Sequence, residues 1–213
     1  MNIKFSNLHP IYFSEDRSVH SNIWGQEVTI QPGEKIQIVA PSGSGKTSLI
    51  HFMYGLRREY NGSIVYNGKD VKQLSPDQIA QYRQENLSIM FQDLRLFPNQ
   101  TVFQNIEVKR QLKPFHPPEK ISSFAERLGV SHKLNMLCST CSYGEQQRVA
   151  IVRCLMQPFD FLLLDEPFSN LDENNRKKAM ELILEEAKLR NAGILLADLK
   201  EIEFFPADKV FHL

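Results

Sequence analysis

The chain has 213 residues and carries 25 Lys plus Arg against 25 Asp plus Glu, so its formal net charge at neutral pH is zero. That length allows one compact domain with or without a subdomain and leaves no room for a tandem array. The balanced charge argues against broad attraction to nucleic acid or to an anionic bilayer.

Apolar runs such as Phe161-Leu162-Leu163-Leu164 are short and interrupted by charge, well below the roughly 20 apolar residues of a membrane helix. Met1-Asn2-Ile3-Lys4-Phe5-Ser6 lacks the apolar centre of a signal peptide. A cytoplasmic protein is therefore expected. Cys138, Cys141 and Cys154 cannot all pair with one another, and free thiols are expected in a reducing compartment. Cys138-Ser139-Thr140-Cys141 has neither the second pair of a zinc site nor the preceding strand of a thioredoxin-like motif.

In chain order, residues 28–30 and 35–40 read as strands split by the turn Gln31-Pro32-Gly33-Glu34, and the second runs directly into a glycine-rich loop. A helix begins near Lys46, with Leu49, Ile50, Phe52, Met53 and Leu56 at roughly helical spacing and Gly55 warning that its end is near. Residues 63–66 alternate like a strand between Asn61-Gly62 and Asn67-Gly68. From about Gln84 the character changes. Residues 87–91 form a short strand, Leu96-Phe97-Pro98-Asn99 breaks the chain, and helical segments follow, including 119–128 opened by Pro117-Pro118 and 145–156. Beyond Pro158, residues 161–164 are apolar at consecutive positions, as a strand buried on both faces should be. A helix at 174–190 and strands at 193–197 and 209–213 complete an alternating pattern. The predicted fold is α/β: a parallel-sheet core from 1–83 and 158–213 with an antiparallel N-terminal portion, and a helical subdomain at 84–157 inserted into this single domain.

The chemistry starts in Ala40-Pro41-Ser42-Gly43-Ser44-Gly45-Lys46-Thr47-Ser48. Small residues let several backbone N–H groups point inward, and the helix that follows adds its positive dipole end, so a polyphosphate is the natural guest. Lys46 would reach the β and γ phosphates, Thr47 would offer its hydroxyl to Mg²⁺, and Ser48 would contact the α phosphate. The usual loop begins with Gly where this chain has Ala40; an extended conformation there makes alanine harmless. Asp165 ends an apolar strand, which places its carboxylate beside the loop to orient Mg²⁺ or its water, and Glu166 then faces the attacking water as general base.

A third motif, Cys141-Ser142-Tyr143-Gly144-Glu145-Gln146-Gln147-Arg148-Val149, narrows the field. With it, residues 8–210 resemble the nucleotide-binding subunits of ABC transporters, most like the small ATPases of lipoprotein-release, macrolide-export and cell-division complexes. The resemblance implies a P-loop ABC ATPase fold, with ATP held between two such subunits arranged head to tail, as a homodimer or heterodimer. It also implies a separately encoded transmembrane permease, no nucleic acid partner, and a peripheral position on the cytoplasmic face of the inner membrane.

Met90-Phe91-Gln92-Asp93 matches the family's Q-loop, which gives Gln92 a role toward Mg²⁺ and the reacting water. The following residues 94–99 resemble the stretch that docks a coupling helix. Ser169-Asn170-Leu171-Asp172 resembles the D-loop. Ser142, Gly144 and Glu145 would close over the partner's nucleotide, while Tyr143 stands where the signature has its first glycine and either crowds that closure or points away. Tyr12 is the candidate to stack on adenine, with Phe13 and Trp24 as alternatives. Asp198 occupies the position of the family's switch histidine; a carboxylate there can only accept unless protonated, so slow turnover is expected. Two rival readings are a regulatory clamp with weak hydrolysis and a small-molecule P-loop kinase, the latter leaving Gln92 and the third motif unexplained.

Overall fold

Two sheets organise the chain in the computed structural model, which describes residues 1–13 and 21–213. β1 (Ile3–Pro10), β2 (Glu27–Ile30), β4 (Tyr60–Tyr66) and the two-residue β5 (Lys69–Asp70) form an antiparallel sheet in the order β2-β1-β4-β5. β3 (Lys35–Val39), β6 (Leu87–Met90), β7 (Phe161–Asp165), β8 (Gly193–Asp198) and β9 (Lys209–His212) form an all-parallel sheet in the order β6-β7-β8-β3-β9. The helices are α1 (Lys46–Met53), α2 (Pro76–Glu85), α3 (Val102–Leu112), α4 (Glu119–Arg127), α5 (Tyr143–Leu155) and α6 (Glu173–Arg190).

The parallel sheet separates two apolar clusters, and its strands feed both by strict alternation. Phe161 and Leu163 of β7 pack on the side of α1 and the antiparallel sheet, whereas Leu162 and Leu164 pack with α3, α5 and α6. All four are fully buried, each worth roughly 1.5–3 kcal/mol of transfer free energy. This two-sided burial explains the unbroken apolar run in the sequence. The three cysteines are free and buried; burial pushes the Cys138 thiol up to about 11 and the Cys154 thiol up to about 12, so they behave as small apolar groups at neutral pH.

Four elements differ from the sequence reading. Leu87–Met90, which a division at residue 84 assigns to the helical insertion, pairs with β7 as an edge strand of the parallel sheet; Ser88 Oγ donates to the Cys154 carbonyl at 2.6 Å and ties that strand to α5. β1 and α2 carried no assignment. α5 starts at Tyr143 instead of 145 because Ser142 and Glu145 form a capping box: the Glu145 N–H donates to Ser142 Oγ and the Ser142 N–H donates to the Glu145 carboxylate.

One buried ionic cluster fastens the helical insertion to the core. His116, on the connection between α3 and α4, lies 2.6 Å from the Glu186 carboxylate of α6. Arg190 pairs with the same carboxylate and also donates to the Leu155 carbonyl at the end of α5. Burial alone would raise the Glu186 carboxyl, but hydrogen bonds from His116 and Arg190 outweigh it and hold the group below its ordinary 4.5. A depressed folded-state value means that this stabilisation is present above the unfolded value and lost as pH falls through the folded one. Glu186→Ala strands a buried arginine, so urea unfolding at pH 7 is expected to show a loss of about 3–5 kcal/mol. The gap from the parent should narrow as pH is taken below 4.5.

Candidate active site

The phosphate loop leaves the end of β3, an interior strand with β8 on one side and β9 on the other. Ala40 continues that strand: its N–H donates to the Asp198 carbonyl at 3.2 Å and its φ is negative, so the alanine carries no left-handed strain. Gly43 and Gly45 do need positive φ, at 80° and 100°. A Cβ on Gly45 would meet Phe13 at 2.9 Å and Trp24 at 3.0 Å, so the loop rests on an aromatic floor that admits no side chain. Gly45 is also the N-cap of α1 and offers no side-chain cap. The first N–H groups of α1 are thus left for an anion.

Four side chains close a ring beside that loop. Lys46 is buried, donates from Nζ to the Ala40 and Pro41 carbonyls at 2.8 and 3.1 Å, and lies 3.5 Å from Glu166 Oε1. Gln92 Nε2 donates to Glu166 Oε2 at 3.2 Å, and its Oε1 accepts from the Thr47 hydroxyl at 3.4 Å. Glu166 itself has φ 47°, a left-handed backbone that costs roughly 1–2 kcal/mol for a residue with a Cβ. Its N–H donates to the Ala197 carbonyl at 2.9 Å.

Asp165 stands next to this ring at 1% exposure, and neither carboxylate oxygen has a hydrogen-bond partner among the described residues. Burial pushes its carboxyl up to about 6; the Thr47 hydroxyl and the Lys46 charge pull it down and the Glu166 charge adds to the rise. Asp198 ends β8, in register with Val39. Its Oδ1 accepts from the Leu199 N–H at 2.7 Å, and burial followed by the Glu166 charge raises its carboxyl.

The start of α5 approaches the ring from the other side. The Tyr143 hydroxyl donates to the Gln92 carbonyl at 3.1 Å, so the half-exposed ring is turned toward the Q-loop of its own chain. A Cβ on Gly144 would come within 2.9 Å of the Asn170 carbonyl, which explains glycine there. Ser142 and Glu145 spend their mutual hydrogen bonds on the cap, and the Ser142 hydroxyl hydrogen remains a donor. Tyr12 is half exposed and its hydroxyl donates to Ser48 Oγ at 2.5 Å, which puts it at the loop's rim. Trp24 is buried under the loop with its Nε1–H toward the Ser44 carbonyl, and Phe13 packs edge-on between the two.

The structure thus gathers Lys46, Thr47, Gln92, Asp165, Glu166 and Asp198 at the carboxyl edge of the parallel sheet. Two contributors escape the sequence reading: Trp24 as floor, and Gln147, whose amide reaches the Glu166 carbonyl at 3.2 Å. The signal for Gln147 was its place three residues after Gly144 and four before Ile151, on the buried face of α5.

A parallel sheet with such a loop beside its strand-terminal carboxylates defines a P-loop NTPase. The family model described as ABC transporter matches residues 25–169, and the chain belongs to that family. It is an ABC ATPase cassette homologous to ATP-binding subunits of ABC transporters, which disposes of the small-molecule kinase reading. The macrolide export ATP-binding/permease protein MacB of Nitrosomonas europaea is 32% identical over 203 residues, 94% of this chain but 31% of that longer protein. The lipoprotein-releasing system ATP-binding protein LolD of Coxiella burnetii is 33% identical over 80% of this chain and 75% of its own length. A dimeric structure of MJ0796, a bacterial ABC transporter cassette, superposes with a TM-score of 0.79 at 21% identity, over 93% of this chain and 88% of that one.

The buried, unpaired Asp165 destabilises the fold when charged. Its folded-state value is raised, so the folded chain holds the proton more tightly and stability falls as pH rises from 3.8 through about 6. Asp165→Asn is expected to stabilise the nucleotide-free protein by on the order of 2–3 kcal/mol at pH 7.5. Thermal unfolding at pH 4 and pH 7.5 checks this: the advantage should appear only at the higher pH.

Proposed function

We propose that this chain binds and hydrolyses ATP as a subunit of an ABC transporter, paired head to tail with a second such ATPase and driving a separate transmembrane partner. The observation that carries the reading is the closed ring of Lys46, Thr47, Gln92 and Glu166 beside the partnerless Asp165. Lys46 already bonds two loop carbonyls and exchanges them for β and γ phosphate oxygens. Glu166, held by Gln92 on one oxygen and near Lys46 on the other, takes the proton of the attacking water.

The Thr47 hydroxyl, the Gln92 amide oxygen and the Asp165 carboxylate are oxygen donors suited to Mg²⁺, and the orphaned Asp165 oxygens are what such a hard cation satisfies. When bound, Mg²⁺ neutralises charge on the β and γ phosphates. Tyr12 stacks on adenine at the rim of the loop. Ser142, Gly144 and Glu145 present the first turn of α5 to the nucleotide on the partner subunit, which completes each site in trans.

No helix among the described residues is long and apolar enough to cross a membrane, which fits a peripheral position on the cytoplasmic face. A groove of about 230 Å³ beside the Q-loop, lined by Tyr54, Phe91, Phe97, Val108 and Leu112 with Lys109 at its side, offers the permease an apolar seat. Phe97, Val108 and Leu112 are exposed there.

Two substitutions test the chemistry. Glu166→Gln should lower phosphate release about 10²- to 10⁴-fold while ATP-dependent dimerisation, followed by light scattering, persists; hydrolysis at the parent rate would refute Glu166 as base. Asp198→His replaces an acceptor with a donor toward the γ phosphate and should raise turnover at saturating ATP. An unchanged rate sinks that assignment.

A further inference from the structure

The geometry points to Gln147 as the positioning residue that holds Glu166 and the loop after it in working register with α5, an inference that rests on Glu166 acting as the general base. Gln147 is polar yet 1% exposed, within a helix whose other buried residues are apolar: Val149, Ala150, Ile151, Val152, Cys154 and Leu155. Its amide spans two neighbouring segments. Nε2 donates to the Glu166 carbonyl and to Ser169 Oγ, both at 3.2 Å, and Oε1 accepts from the Asn170 N–H at 3.0 Å. A backbone carbonyl only accepts and a backbone N–H only donates, so one orientation of the amide satisfies both, with its oxygen and both hydrogens in use. No apolar side chain of similar size can supply this set.

The strap matters because of what it grips. Glu166 sits at φ 47°, a conformation that a residue with a Cβ abandons unless its surroundings hold it. The Ala197 carbonyl holds its N–H and Gln147 holds its C=O. Fixing both ends of the residue fixes the direction of its carboxylate toward Gln92 and Lys46. The same amide grips Asn170, whose carbonyl lies against Gly144 of α5. Through Gln147, therefore, the first turns of α5, the left-handed Glu166 and residues 169–170 move together, and a shift of α5 re-aims the catalytic carboxylate within the same chain. Gln147 acts through Glu166 and touches no reacting atom.

The test compares the full chain with Gln147→Met, close in volume but without the amide, Gln147→Asn, which keeps the amide and shortens its reach, and Glu166→Gln. Steady-state ATP hydrolysis is normalised to nucleotide-binding sites, and melting temperature is recorded alongside. The expected result is a kcat about tenfold or more below the parent in both Gln147 variants, with KM for ATP within about twofold. A lower melting temperature with kcat per site unchanged reduces Gln147 to a structural residue and overturns the proposal, as does a rise in KM at constant kcat. Should Gln147→Met fail to fold, Gln147→Asn decides by the same criteria. Glu166→Gln separates the two levels: if it abolishes hydrolysis while the Gln147 variants match the parent, the positioning role alone is wrong. If Glu166→Gln hydrolyses like the parent, or the parent itself releases no phosphate, the reading of Glu166 falls and this proposal with it.

Discussion

A carboxylate placed at the end of a strand buried on both faces is the constraint around which this molecule is arranged. Burying Phe161, Leu162, Leu163 and Leu164 supplies the apolar free energy that drives β7 into the interior of the sheet, between β6 and β8. It also carries Asp165 to a place where neither of its oxygens finds a hydrogen-bond partner among the described residues. An unpaired buried charge is tolerable only where function requires it and a ligand can answer it. The surrounding groups are consistent with that demand, because the nearest cation, Lys46, is directed at loop carbonyls and Glu166 and leaves Asp165 available.

The second organising feature is the first turn of α5, which is joined in its own chain to both halves of the ring of Lys46, Thr47, Gln92 and Glu166. Tyr143 reaches the Gln92 carbonyl, Gln147 reaches the Glu166 carbonyl, and Gly144 allows the Asn170 backbone to approach. The Tyr143 hydroxyl adds one hydrogen bond across the junction between the helical insertion and the parallel sheet, and the cluster of His116, Glu186 and Arg190 supplies a second fastening. Both fastenings act between residues far apart in sequence, so they resist rotation of the insertion as a body.

How much of this was legible depended on whether a residue's environment repeats along the chain. The parallel strands were legible because two-sided burial writes continuous apolar runs, and the phosphate loop because its backbone demands glycine at fixed offsets. β1 was not, because a bulge at Asn7 shifts the buried positions from Ile3 and Phe5 to Leu8 and Pro10, which breaks the period of two. The bulge is accommodated across the sheet by Gly62, where a Cβ would meet the Asn7 carbonyl at 2.2 Å. α2 buries only Ile79 and so lacks an apolar stripe, although its capping box of Ser75 and Gln78 was there to be read. Gln147 was half legible: its helical spacing marks it as buried on α5, but its partners lie at 166, 169 and 170, and only the tertiary fold brings them to it.

The surroundings of Asp198 and Glu166 differ in what holds each carboxylate. A carboxylate at this point adds to the negative charge of Asp165 and Glu166, and both burial and the Glu166 charge resist its ionisation. The backbone answers part of that charge locally, since the Leu199 N–H donates directly to Oδ1 and the Lys200 N–H lowers the carboxyl as well. Those donors are spent on holding Asp198 in the turn after β8, so they stabilise the anion without giving it anything to offer a phosphate. Glu166, by contrast, owes its position to Ala197, Gln147 and Gln92, none of which involves the Asp198 side chain. On the proposed reading, with Asp198 at the switch-histidine position and Glu166 as base, aspartate in place of histidine removes a donor toward the γ phosphate and leaves the placement of Glu166 intact, which separates stabilisation of the transition-state charge from deprotonation of the water.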